Sequence, residues 1–203
     1  MIGKWYHQFV ILHFNKRGFL LLLVAEYGKF FTQINCFGGS FMKLVDITKE
    51  NWLDVIFLTT NETITVKGSG EPYEAKGMPS LCEEFVASNA LSIVQSVYED
   101  GWIIKAIEHE DKLIGFTMFG WNEEEEFYEL CRIMIDREFQ NKGYGTQAIR
   151  MVLDEMKTRF GCKEIYLSTD PENARGRHIY EKVGFRSEHK MLDDEELFKI
   201  VFD

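Results

Sequence analysis

Residues 140–145 read QNKGYG, and residues 146–160, TQAIRMVLDEMKTRF, follow with apolar side chains at helical spacing. Glycines at the mouth of an amphipathic helix let main chain come close to a ligand. That ligand is commonly a phosphate, because free N–H groups and the positive end of the helix dipole lie there. Three phosphate-binding chemistries compete for the stretch. A P-loop needs lysine and a hydroxyl after its last glycine; here Lys142 precedes Gly143, and Gly145 is followed by Thr146 and Gln147. The dinucleotide fingerprint G-x-G-x-x-A is met literally by Gly143, Gly145 and Ala148, but its glycines should follow a strand directly and open a parallel fold. Residues 136–142 intervene here, and an antiparallel meander comes first. The third chemistry is Q/R-x-x-G-x-G/A between a strand and a long helix, with Asn, Tyr and Gly-Phe downstream.

The flanks determine which applies. LVDI (44–47) reads as a first strand, with Thr48 as N-cap of a helix through Asn51, Trp52, Val55 and Ile56. Residues 61–79 hold three glycines and two of the three prolines, which predicts a loop or mobile insertion. In residues 85–100, Ser88 and Asn89 start a helix whose face is Ala90, Ile93, Val94 and Val97. Two apolar runs parted by His109, Glu110, Asp111 and Lys112, then a turn at 121–125 before EFYELCRIMID, predict three antiparallel strands. After the glycine loop, Ala148, Ile149, Val152, Leu153, Met156 and Phe160 form one helical stripe, stopped at Gly161. KEIYLSTD is a strand, PENARGRHIYEKVGF a loop and helix stopped at Gly184, and ELFKIVF a closing strand.

Strand LCRIMID, loop QNKGYG, helix TQAIRMVLDEM and then PENARGRHIYEKVGF, in that order over residues 129–185, resemble the GNAT superfamily of acetyl-CoA-dependent N-acetyltransferases. With the flanking elements the resemblance extends over 42–203. It implies an α/β (α+β) fold: a mixed central sheet with an antiparallel N-terminal meander, splayed central strands and flanking helices. It also implies acetyl-CoA as co-substrate, with the diphosphate on the loop formed by Gln140, Asn141, Lys142, Gly143, Tyr144, Gly145 and Thr146. The pantetheine arm would pair with the backbone of Ile133, Met134 and Ile135 as an added strand. Binding by main-chain amides suits a protein that carries few cations.

The chemistry requires proton traffic. An alkyl amine near pKa 10.4, by analogy with lysine, is mostly protonated at neutral pH and attacks a thioester only after losing a proton. By motif position Tyr180 resembles the superfamily tyrosine beside the cofactor sulfur and is the candidate general acid; the plainer alternative is half-buried packing. Glu129 matches the catalytic glutamate of the histone-acetylating branch and is the candidate base, against a solvent-facing glutamate or a water in that role. Strand alternation puts it on one face with Cys131, Ile133 and Ile135, opposite Arg132. Asn173 resembles the asparagine that binds the cofactor near Tyr180, and otherwise reads as a turn or N-cap residue. Where relatives often carry alanine, this chain has Gly176, which loosens a helix by up to about 1 kcal/mol.

Residues 85–99 (FVASNALSIVQSVYE), with IDREFQNKGYG and HIYEKVGF, resemble the spermine/spermidine (polyamine and diamine) acetyltransferase branch. The implied partner is a small cationic amine, and Glu123 to Glu126 together with Glu83 and Glu84 are candidates to surround it; an acidic run is otherwise a solvated turn. Another amine (antibiotic, peptide N-terminus or protein lysine) is the second reading, and a non-catalytic acetyl-CoA sensor the third. Relatives are often dimers, so a homodimer is an expected assembly.

The 203 residues carry 33 acidic and 23 basic side chains, a formal charge of −10, which disfavours nucleic acid and anionic membrane as partners. Cys36, Cys82, Cys131 and Cys162 lie far apart with no C-x-x-C and no histidine at zinc spacing, so no metal site is expected, and reduced thiols point to the cytoplasm. Residues 1–41 differ from the rest: aromatic and aliphatic without a clean period, with Glu26 the one acidic residue. Lys16 and Arg17 before GFLLLLVA resemble a signal-peptide core, yet the run is short and lacks an A-x-A site. Translation from upstream of a natural start at Met42 and a genuine accessory segment are the other readings. The expected division is therefore 1–41 as an atypical extension and 42–203 as one domain.

Overall fold

A computed structural model of the chain describes residues 10–14, 20–26, 29–35, 42–60, 63–65, 72–74 and 87–202. Cys36, Cys82, Glu83, Glu84 and most of the 61–79 segment lie outside them. The chain forms two compact units, Met1–Phe41 and Met42–Asp203. In the first, β1 (Val10–Phe14), β2 (Leu20–Glu26) and β3 (Lys29–Asn35) make an antiparallel sheet in that order. The apolar run weighed as a leader core thus contributes strand β2.

The second unit begins with β4 (Met42–Val45) and α1 (Trp52–Phe57). Asn51, not Thr48, is the N-cap residue, and its side chain does not cap the helix. Its Oδ1 accepts from the Thr48 N–H at 2.7 Å instead, so Thr48 belongs to the turn before the helix. Within the 61–79 segment, β5 (Thr63–Thr65) and β6 (Pro72–Glu74) pair antiparallel. Next come α2 (Asn89–Tyr98), then β7 (Trp102–His109), β8 (Lys112–Asn122) and β9 (Phe127–Ile135). The β7–β8 hairpin turns on Glu110 and Asp111, both at positive φ (51° and 58°), the backbone that two-residue hairpins favour. A 3₁₀ turn (Arg137–Phe139) leads to α3 (Tyr144–Phe160), then β10 (Glu164–Thr169), α4 (Ala174–Val183), β11 (Arg186–Leu192) and β12 (Glu195–Val201).

Seven strands form one mixed sheet in the order β11-β12-β10-β9-β8-β7-β4. β7 to β9 are the expected meander, and only β9–β10 is parallel among the sheet's pairs. One face is covered by α3, whose Ala148, Ile149, Val152, Leu153 and Met156 are buried. Each of the four larger side chains contributes roughly 1–3 kcal/mol through lost apolar surface. Ile149, Val152, Leu153 and Met156 pack with Phe119, Leu130, Ile165, Leu167, Phe185 and Phe198, and α4 adds Ile179, Tyr180 and Val183 to the edge of that cluster. On the other face Val55 and Leu58 meet Ala106, Phe116, Met118 and Met134.

Helix α2 corrects its expected face. Ser88 caps it as predicted, accepting from the Leu91 N–H at 3.1 Å, and Ile93 of the expected face packs against the Val55 cluster, but the residues it fully buries are Asn89 and Ser92. Val94 and Val97 are 53% and 71% exposed. The inward polar groups have partners: Asn89 Nδ2 donates to the Val55 and Leu58 carbonyls at 2.9 and 3.4 Å, and Arg132 Nη1 donates to Ser92 Oγ at 2.7 Å. Hydrogen-bond demand at the end of α1 and around a buried guanidinium outweighs apolar periodicity here. Among the described residues, no helix is long and apolar enough to cross a membrane.

Candidate active site

Strands β9 and β10 share one register pair, Glu129 with Tyr166, and then diverge. The gap opens a groove of about 790 Å³, lined by residues 129–135 on one side and by the N-terminal ends of α3 and α4 on the other. An unpaired stretch of β9 edge offers main-chain donors and acceptors to an extended ligand. Ile133, Met134 and Ile135 all lie along it.

A bulge in β9 changes which side chains share a face. Gly120 pairs with Glu129 and Met118 with Arg132, so Phe119 alone stands opposite both Leu130 and Cys131. Leu130, Ile133 and Ile135 consequently face the α3 side, while Cys131 and Met134 pack on the α1 side and Arg132 bonds Ser92 of α2. Glu129, two β8 residues from Met118, shares the face of Arg132 and Met134. The simple alternation that grouped it with Ile133 and Ile135 fails by that one inserted residue.

The loop end is built from backbone. Asp136 stitches it to α1: Oδ1 accepts from the Glu138 N–H at 2.9 Å and Oδ2 from the Thr59 N–H at 3.1 Å. Asn141 and Gly143 sit at φ 62° and 82°, turning successive peptide units so that α3 can start at Tyr144. Side chains cap α2 and α4, but none caps α3. The residues that carry its first amides, Tyr144, Gly145 and Thr146, line the groove, and uncapped helix amides suit an anion. Gln140, Asn141 and Gly143 line it too, whereas Lys142 does not; the Lys142 ammonium donates to the Glu138 carbonyl at 3.0 Å and lies 5.3 Å from the Phe139 ring centre.

Asn173 is the N-cap of α4: Oδ1 accepts from the Gly176 N–H at 2.9 Å and Nδ2 donates to Thr169 Oγ1 at 3.0 Å. A Cβ on Gly176 would lie 2.5 Å from Asn173 Nδ2 and 2.8 Å from its Cγ. The glycine that departs from the family pattern thus leaves room for the capping side chain, which itself borders the groove.

At the opposite end lie Glu129, Tyr180, Ser168 and Glu195. Glu129 is 6% exposed, and Asn122 Nδ2 donates to its Oε2 at 2.7 Å. Burial holds this carboxyl above its ordinary value; the Asn122 bond opposes the shift, and the charges of Glu195 and Glu125 add to it. Tyr180 is half-buried, edge-on to Phe185. Burial, then the Glu195 charge, pushes its phenol up to about 12, so it keeps its proton at working pH. Burial and Glu129 push the Cys131 thiol up to about 12 as well, which disfavours a thiolate nucleophile there.

Glu195 and Ser168 were not foreseen. Ser168 Oγ donates to Glu195 Oε2 at 2.5 Å. The pairings Tyr166–Glu129 and Ser168–Leu197 place Glu129, Ser168 and Glu195 on one face of the sheet, opposite Ile165, Leu167 and Phe198, which pack with α3. In sequence Glu195 is one acid of a hairpin, DDEE, and reads as solvated turn. The acidic run expected to meet the amine, Glu123 to Glu126, is exposed.

The sequence profile of the acetyltransferase (GNAT) family matches residues 62–185. The spermine/spermidine N(1)-acetyltransferase of Bacillus subtilis (strain 168) is 30% identical over 121 residues, 53% of this chain and 80% of that protein. A solved spermidine N-acetyltransferase from Vibrio cholerae, in complex with CoA and spermine, superposes with a TM-score of 0.55 at 20% identity, covering 79% of this chain and 95% of the other. A dodecameric structure of the Vibrio cholerae enzyme in an intermediate state gives 0.53 at 21% identity, over 79% and 93%. At such identities the two structures bear on the fold, which they match.

Proposed function

We propose, because this chain belongs to the GNAT acetyltransferase family and is therefore an acetyl-CoA-dependent N-acetyltransferase, that its acceptor is a primary amine of a polyamine such as spermidine or spermine. The observation that carries the acceptor class is the pair of carboxylates on one sheet face, Glu129 and Glu195, bordering the groove. Among the described residues neither is in an ion pair. A cation entering that end gains from both charges where water is partly excluded.

The roles follow from position. The α3 amides and the Asn141–Gly143 turn suit the diphosphate, and the β9 edge along Ile133, Met134 and Ile135, where the Ile135 carbonyl already accepts from Gln140, suits the pantetheine amides. Bound there, the coenzyme supplies an activated acetyl thioester. Glu129, its affinity for protons raised by burial, takes a proton from the ammonium ion, directly or through a water. Nitrogen then bonds to the acetyl carbon, the carbon–sulfur bond breaks, and nitrogen's second proton passes, directly or through a water, to the sulfur, which departs as a thiol while Glu129 releases the first proton to solvent. Tyr180 serves the sulfur. Full transfer from a phenol at about 12 to a thiolate near 8.5 is uphill, so its contribution is a hydrogen bond that strengthens as sulfur gains charge.

An acetylation screen over an amine panel, with mass detection of product and thiol release, tests this on chains beginning at Met1 and at Met42. Turnover of spermidine or spermine well above monoamines, peptides and aminoglycosides supports the reading. Preference for one of those others replaces it with another acceptor, and cofactor binding without turnover on any amine replaces it with a sensor. Sedimentation of the same samples reads self-association, including the expected homodimer.

A further inference from the structure

Arg175, near the start of α4, stood out in neither the glycine loop nor the downstream motif, yet it reaches the loop. Its Nη1 donates to Gln140 Oε1 at 2.6 Å and its Nη2 to Asn141 Oδ1 at 3.1 Å. Both acceptors are neutral amides, so these bonds orient the guanidinium without neutralising it. Two of its five N–H donors are used in this way. Among the described residues no carboxylate pairs with it. Gln140 continues the connection, since its Nε2 donates to the Ile135 carbonyl at 2.9 Å. One chain of hydrogen bonds therefore runs from α4 through the loop to the end of β9.

Among the described residues lining the groove, those able to carry positive charge are Arg132, Arg175 and His178. Arg132 is committed to Ser92 Oγ and the Ala87 carbonyl on the α2 side. Lys142, the cation within the loop itself, bonds the Glu138 carbonyl outside the groove. An oriented, uncompensated guanidinium beside uncapped helix amides forms a two-part anion site, planar fork plus backbone.

We propose that Arg175 binds a phosphate group of the coenzyme, so that the chain selects phosphorylated acyl donors through a cation on α4 and not through a lysine of the glycine loop. This rests on acetyl-CoA dependence alone and is indifferent to the acceptor. The test compares the full chain with R175Q and R175K, using acetyl-CoA and S-acetylpantetheine, which lacks the phosphates, with any amine that the unaltered chain acetylates. R175Q is expected to raise KM for acetyl-CoA about tenfold, leaving amine KM in place, with little loss on S-acetylpantetheine; R175K recovers part of the affinity. Titration of CoA by calorimetry gives the same comparison without turnover: a tenfold weaker Kd for R175Q, and a smaller salt dependence. Equal losses on both donors would show that Arg175 supports the groove as a whole, a weaker Kd for CoA with the salt dependence of the unaltered chain would show that it merely braces the loop, and an unchanged Kd would remove it from the site; each of these results overturns the proposal.

Discussion

Asn122 donates to Glu129 across the base of the β8–β9 hairpin, 2.7 Å from Nδ2 to Oε2, and this bond works against the burial that makes the carboxylate a better proton acceptor. Removing it leaves desolvation and the charges of Glu195 and Glu125 unopposed. In an Asn122→Leu variant the acid limb of the kcat/KM profile therefore moves to higher pH. An unmoved limb would mean that Glu129 is not the titrating base.

The same carboxyl makes a statement about stability. Its folded-state pKa lies above the unfolded one, so the fold binds the extra proton and is stabilised by it at low pH, and that contribution is lost as pH rises through the folded value. Glu129→Gln should accordingly unfold at higher urea than the unaltered chain at pH 7 while losing at least tenfold in turnover. A variant less stable at pH 7 would contradict the sign.

Tyr180→Phe keeps the packing against Phe185 and removes only the hydroxyl. Turnover should fall by about 10²-fold, the loss expected for one hydrogen-bond donor to a developing charge, with CoA affinity nearly unchanged in titration. With the phenol held at about 12, it contributes no alkaline limb below pH 10.

Asn173 and Gly176 are coupled, because a Cβ at 176 would displace the Asn173 side chain from its capping position. Gly176→Ala alone gains up to about 1 kcal/mol in helix propensity but displaces a cap of similar worth, so its net effect on urea unfolding is small. In an Asn173→Ala background the obstruction is gone, and the same substitution should stabilise by about 0.5–1 kcal/mol. Equal effects in both backgrounds would deny the contact.

On α2, Asn89→Leu leaves the Val55 and Leu58 carbonyls short of a donor and should cost about 1–3 kcal/mol in urea unfolding, whereas Val97→Ser should stay within about 0.5 kcal/mol. The reverse ranking would restore the face that apolar spacing suggested.

Sequence by itself determined the parts whose causes are local. The glycines of QNKGYG mark an uncapped helix start, the stripe from Ala148 to Met156 repeats at helical spacing, and Ser88 caps the residues beside it. The order of these elements was enough to identify the acetyltransferase fold and its coenzyme loop.

Tertiary structure decided whatever depends on groups distant along the chain. A single inserted residue opposite Phe119 moved Glu129 to the face of Arg132, because side chains alternate only until a strand bulges. Glu195 became a neighbour of Ser168, 27 residues earlier, and Arg175 a partner of the glycine loop 34 to 35 residues before it. The buried face of α2 went to Asn89 and Ser92 because carbonyls and a guanidinium elsewhere in the fold needed hydrogen-bond partners. Periodicity records which side chains avoid water, but not which distant polar atoms must be satisfied once water has been excluded.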